Sequence, residues 1–173
     1  MKRRESLKTL LLASGALVSL PAWAQAWHAE DIKAYRSSFS ATEQSLLASV
    51  ADTIIPAGNA VGALTVGVDL FLQKLLDNCY DSETQQNVKT QLTALDGEAR
   101  RVYSQSFSGC DQTQRQTLLG KLEHSENKAE KDFFTLMKTE TIRGFTTSRE
   151  VMLTYLKYKS APGHYYGCVD VKA

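Results

Sequence analysis

The side chains with the widest chemical range in this chain are three cysteines and three histidines: Cys79, Cys110, Cys168, His28, His124 and His164. Metal binding or nucleophilic catalysis needs such groups at a fixed spacing, as two ligands on one helical face or a thiol beside an imidazole. No two histidines share a helix at ligand spacing. His164 and Cys168 stand four apart, but Tyr165-Tyr166-Gly167 between them reads as extended or turned, so the pair belongs to an ordered tail. No C-x-x-C-H offers haem attachment, no G-x-G-x-x-G follows a strand pattern, and no phosphate-binding loop occurs. Asp52, Asp69 and Asp132 sit at helix starts or on helical faces, where carboxylates are ordinary surface residues. Phe133-Phe134 and Tyr165-Tyr166 read as packing residues rather than pocket lining. The chain therefore presents no catalytic, cofactor-binding or metal-binding set, and interaction with a partner is the leading role.

The elements that would position these residues are helices divided by capping signals. Ser40-x-x-Glu43 is a capping box, and Leu46, Leu47, Val50, Ala51, Ile54 and Ile55 recur on one helical face until Pro56 stops the helix. Residues 57–65 are small and Gly-containing, a loop. A second helix is predicted from Thr65 or Val66 to about Asn78, with Val68, Phe71, Leu72, Leu75, Leu76 and Cys79 as its apolar stripe. Ser82-x-x-Gln85 reads as a further box opening the longest helix. There Val88, Leu92, Leu95, Ala99 and Val102 keep their phase straight through Gly97. Asp111-x-x-Gln114 caps a short helix carrying Leu118, Leu119 and Leu122. Phe133, Phe134, Met137, Thr141 and Ile142 mark another, with Gly144 as its stop. Thr147 or Ser148 then caps a last helix bearing Val151, Met152, Tyr155 and Leu156. The expectation is an all-α domain of about six helices with a non-helical C-terminal tail.

The first 24 residues read as an address. Arg3-Arg4 and Leu7 open a charged segment, a 12-residue apolar run follows, and Ala22-Trp23-Ala24 supplies an A-x-A cleavage pattern. That run is shorter than the roughly 20 residues a membrane-spanning helix needs. The arginine pair points to the twin-arginine route, which exports folded proteins. Residues 25–39 form an N-terminal linker and residues 40–173 the helical domain. The whole chain carries a net charge of +1 and the leader +3 (Lys2, Arg3, Arg4 and Lys8 against Glu5), so the mature part carries 1 − 3 = −2. A weakly acidic domain without a basic cluster is not expected to bind nucleic acid. Three cysteines in an exported protein permit at most one internal bridge. A single helix over residues 83–106, about 36 Å long, keeps Cys79 and Cys110 apart. Cys168 on the tail could instead meet Cys79, Cys110 or a partner's thiol.

Several segments stand in order along the chain: Ala51-Asp52-Thr53-Ile54-Ile55-Pro56, Gly67-Val68-Asp69-Leu70-Phe71, Asn78-Cys79-Tyr80, Phe133-Phe134, Lys138, Thr141, Gly144-Phe145 with Thr147-Ser148, and Pro162-Gly163-His164-Tyr165-Tyr166-Gly167-Cys168. Together they resemble the gluconate 2-dehydrogenase subunit 3 family. Between Pro56 and Gly67 the chain departs from that family's loop, reading Ala57-Gly58-Asn59-Ala60-Val61-Gly62-Ala63. The resemblance implies a non-catalytic small subunit whose large partner, of the GMC type, holds FAD and oxidises a sugar, sugar acid or polyol. A cytochrome c subunit often completes such complexes. It further implies a periplasmic location, peripheral at the inner membrane through the complex. Arg3 and Arg4 would take the folded flavoprotein through the twin-arginine translocase. Pro162, Gly163, Tyr165, Tyr166 and Cys168 are the candidate partner interface, as aromatics and a thiol on a non-helical end. The rival expectation is a free-standing periplasmic binding or stress protein with a small apolar pocket.

Overall fold

All the α-helices but the one that follows Gly67 begin where a side chain satisfies amide protons that the first turn leaves without partners. The computed structural model describes residues 36–58, 60–159, 161 and 163. The chain divides into two units, Met1–Arg36 and Ser37–Ala173, and the elements below belong to the second. At the head of α1 (Ala41–Ile54) the box is complete: Glu43 N–H donates to Ser40 Oγ at 3.3 Å, and Ser40 N–H donates to the Glu43 carboxylate at 2.7 Å. The same reciprocal pair, Asp111 with Gln114, opens α4 (Gln112–Glu123) at 2.8 and 3.1 Å.

The long helix α3 (Ser82–Tyr103) runs unbroken through Gly97. Its cap is Asp81, one residue before the expected Ser82. Asp81 accepts from Thr84 N–H at 2.7 Å, and Gln85 turns its amide back to the Tyr80 carbonyl. A charged carboxylate acceptor in extended backbone takes the cap position there in place of the serine. The second helix also starts later than expected. Leu64–Val66 forms a 3-10 turn, Gly67 takes the left-handed conformation (φ 74°), and α2 runs Val68–Cys79. A left-handed residue breaks the helical path, so the turn and α2 cannot be one rod.

Gly144 does not end its helix. Helix α5 (Lys128–Thr146) continues two residues beyond it, and the position suits glycine because a side chain there would collide with Phe71. The end comes instead from a run of hydroxyls. Thr146 and Thr147 Oγ1 donate to the carbonyls of Ile142 and Arg143, and Ser148 Oγ donates to that of Phe145. Side chains thereby add a second bond to carbonyls that already accept backbone N–H groups, Thr147 on Arg143 at 3.0 Å and Ser148 on Phe145 at 3.2 Å, and so compete with continuation of the ladder. The expected final helix is only a one-turn π-helix, Val151–Tyr155, closed by Leu156 N–H on the Val151 carbonyl at 3.0 Å. Among the described residues the fold is entirely helical, with no strand.

Helices α1 and α5 pack against each other and each against α2, α3 and α4. Leu47 and Val50 of α1 meet Leu72 and Leu76 of α2, Val88 and Leu92 of α3, Leu118 of α4, and Phe133 and Met137 of α5 in one buried core. Phe107, in a second 3-10 turn (Phe107–Gly109), closes the core where the chain leaves α3. Its N–H donates to Asp96 Oδ1 at 2.9 Å. Cys79 and Val102, on predicted apolar stripes, are exposed at the last turns of their helices, and Ile142, Tyr155 and Leu156 of the later stripes are exposed as well.

Candidate partner surface

The segments that carry the family resemblance are far apart in sequence, yet the fold gathers three of them at one end of the bundle. The first is the end of α1. Asp52 pairs with Arg115 of α4 at 2.9 Å, both largely covered, and the Thr53 carbonyl accepts from Gln112 Nε2 at 3.0 Å. After Pro56 the loop doubles back, with Ala63 N–H donating to the Ile55 carbonyl at 2.9 Å and Val68 N–H to that of Ala63 at 3.1 Å. Gly62 is required there, since a Cβ would sit 2.4 Å from the Ala57 backbone nitrogen.

The second and third segments meet directly. Phe71, in the first turn of α2, lies flat on Gly144 of α5; a Cβ on Gly144 would come within 2.6 Å of the ring. The two helices therefore approach as closely as backbone and aromatic ring permit. A polar cross-brace holds the other end of α2 to the same helix. Tyr80 Oη donates to Glu140 Oε1 at 3.0 Å, and Arg143 Nη1 donates to Glu140 Oε2 at 3.2 Å. Glu140 is buried and doubly bonded, the form in which a covered carboxylate is tolerated. Burial, and then the Glu140 carboxylate, raise the Tyr80 phenol above its usual value.

Several large apolar side chains among the described residues are exposed. Leu64 precedes α2, Leu70 is in its first turn, Val102 is in the last turn of α3, Ile142 is in the last turns of α5, and Leu153, Tyr155, Leu156 and Tyr158 lie on and after the π turn. Val151 is buried at 4% exposure, whereas the four side chains beyond it are 50–59% exposed.

The residues expected to do the work fall partly outside this picture. Arg3, Arg4, Leu7, Ala22 and Ala24 of the leader, and Pro162, Tyr165, Tyr166 and Cys168 of the tail, lie outside the described residues. Gly163 is exposed with φ 79°. Cys79 and Cys110 are free thiols, the first exposed and the second buried, with burial and the neighbouring Asp111 raising the Cys110 thiol. His124 caps the exposed end of α4. Among the described residues no three His, Cys, Asp or Glu side chains come together as a metal site, and no helix is long and apolar enough to cross a membrane. An opening of about 680 Å³ between the first halves of α3 and α5 is rimmed by Glu83, Asn87, Lys128 and Asp132 over a floor of Val88 and Phe133. Among the exposed apolar residues the sequence pattern places Ile142, Tyr155 and Leu156 on apolar stripes, and periodicity carries no signal of whether a neighbour covers a stripe.

The described residues form an all-helical bundle around one buried core. Residues 41–163 match the gluconate 2-dehydrogenase subunit 3 family, and the chain belongs to that family. The match takes in all five α-helices and the π turn. No curated protein and no solved structure matches the chain.

Proposed function

We propose that this protein is the non-catalytic small subunit of a periplasmic FAD-dependent dehydrogenase complex, and that it carries its folded flavoprotein partner out of the cytoplasm and then stabilises it. The observation that carries this reading is the family match over nearly the whole helical unit. The leader supports the carrier role: Arg3-Arg4 in front of a short apolar run suits the export of folded cargo. A flavoprotein that takes up FAD in the cytoplasm must cross already folded, so a partner without its own leader needs one supplied by a bound companion. On this reading FAD sits in a large GMC-type subunit that oxidises a sugar, sugar acid or polyol, and a cytochrome c subunit accepts the electrons. This chain contributes buried surface, including the tail residues Pro162, Tyr165 and Tyr166, with Cys168 available to Cys79 or to a partner's thiol.

The test is fractionation of cells in which Arg3 and Arg4 are both replaced by Lys. The proposal expects this chain and the flavin-containing partner to be retained together in the cytoplasm. Normal periplasmic recovery of the partner in that variant would refute the carrier role.

A further inference from the structure

Before the first helix the chain passes through Ser37, Ser38 and Phe39, and two later elements hold these three residues. The Asp77 carboxylate, in the last turn of α2, accepts from Ser37 Oγ and from Ser38 N–H, each at 3.0 Å, and from Ser38 Oγ. From α3, Lys89 Nζ donates to the Ser38 carbonyl at 3.0 Å and stands 4.9 Å from the centre of the Phe39 ring. Phe39 N–H donates to Ser37 Oγ at 3.2 Å, and the Phe39 carbonyl accepts from Gln44 Nε2 at 2.7 Å. Every backbone polar group of Ser38 and Phe39 is thereby satisfied. Phe39 itself is 2% exposed and belongs to the core, whereas Ser38 is exposed.

The strap depends on the assembled bundle, and the bundle depends little on the strap. Asp77 lies 39 and 40 positions beyond the serines it holds, and Lys89 lies 51 beyond Ser38. These partners are in place only once α2 and α3 stand beside the start of α1. Helix α1, by contrast, closes its own first turn with the Ser40–Glu43 box. The strap can therefore lift while the five helices stay packed, a local opening of the kind that sets protease access in folded proteins. The bond it governs is Arg36–Ser37. Arg36 is exposed and carries the cationic side chain that an acidic specificity pocket selects. A protease must bind the residues on both sides of the bond in its own cleft, and Ser37 and Ser38 are engaged elsewhere while Asp77 and Lys89 hold them.

We propose that Ser37–Phe39 is a latch, shut by Asp77 and Lys89 on the assembled bundle, that opens without unfolding it and so controls cleavage of the Arg36–Ser37 bond by a trypsin-like protease. Anything that grips the chain ahead of Ser37 meets a joint braced by α2 and α3 rather than the bare first turn of α1. The test incubates the full chain, purified from its native cells, with trypsin under native conditions and follows the new N-terminus at Ser37 by mass spectrometry. In wild type that end should form slowly. Asp77→Ala should speed its appearance about tenfold or more, the effect of losing a hydrogen bond to a charged group. Asp132→Ala, which removes an exposed carboxylate elsewhere, should match wild type. Circular dichroism and the urea midpoint report on the bundle; should Asp77→Ala fail to fold, Ser37→Ala with Ser38→Ala takes its place. A folded latch variant cut no faster than wild type would overturn the proposal. So would an acceleration that only tracks a lowered urea midpoint, because the strap would then open together with the helices.

Discussion

Substituting alanine for glycine at two helical positions should have opposite effects, and the difference isolates the contact that shapes the candidate surface. Gly97 lies in the middle of α3 with nothing within 4 Å of where a Cβ would stand. Gly97→Ala should gain the helical preference of alanine, about 0.8–1 kcal/mol. Gly144→Ala makes the same gain in α5, but its Cβ would lie 2.6, 3.0 and 3.2 Å from three atoms of the Phe71 ring. The ring cannot yield by moving a flexible tip, so either it tilts out of the core edge or α2 moves off α5. Overpacking of this kind costs about 1–3 kcal/mol. With a cost near 2 against a gain near 1, Gly144→Ala should destabilise the protein by about 1 kcal/mol. The two alanine variants would then differ by about 2 kcal/mol, or several degrees in Tm for a unit of this size. Removing the ring should reverse the sign: in a Phe71→Ala background, Gly144→Ala should stabilise about as much as Gly97→Ala does. Urea unfolding of the four members of this cycle measures the coupling. A Gly144→Ala variant as stable as Gly97→Ala, or a penalty that survives loss of the ring, would refute the close-approach reading.

Two further consequences concern titratable groups. Because the folded protein raises the Tyr80 phenol, the folded state holds that proton after the unfolded chain has released it. Stability from this group is full below about pH 10 and declines as pH rises from there through the raised folded value. Tyr80→Phe should cost about 1.5 kcal/mol at neutral pH, the low end for a hydrogen bond to a charged group. Its stability should also fall less than that of wild type between about pH 9 and pH 11; parallel curves would count against the Tyr80–Glu140 bond. Cysteine accessibility gives the second check. A maleimide at neutral pH should modify exposed Cys79 in the folded protein and spare Cys110, whose thiol is buried and raised, until denaturant is added. Peptide mapping that finds both modified at equal rates would contradict the packing around Phe107 and Cys110.

What the sequence determined was local. Capping boxes at Ser40 and Asp111, phase kept through Gly97, and apolar runs at Leu46–Val50 and Val88–Ala99 identified helices and most of the core, because each signal is a backbone hydrogen bond or a 3.6-residue period written within a few positions. The family resemblance was legible for the same reason, as short ordered strings. The tertiary structure decided everything that depended on a neighbour. Gly144 read as a stop, and only the Phe71 ring lying on it explains why a glycine belongs inside a helix. Tyr155 and Leu156 had the right period for a core, yet the π turn leaves them in solvent, since periodicity states which residues share a face and not whether anything covers it. Cys79 and Val102 were on their stripes and still emerged exposed, because a stripe is buried only as far as the opposing helix extends. Glu140 gave no local sign of burial; its partners Tyr80 and Arg143 approach from different directions, and only a folded chain can bring a phenol sixty residues away within 3.0 Å of it.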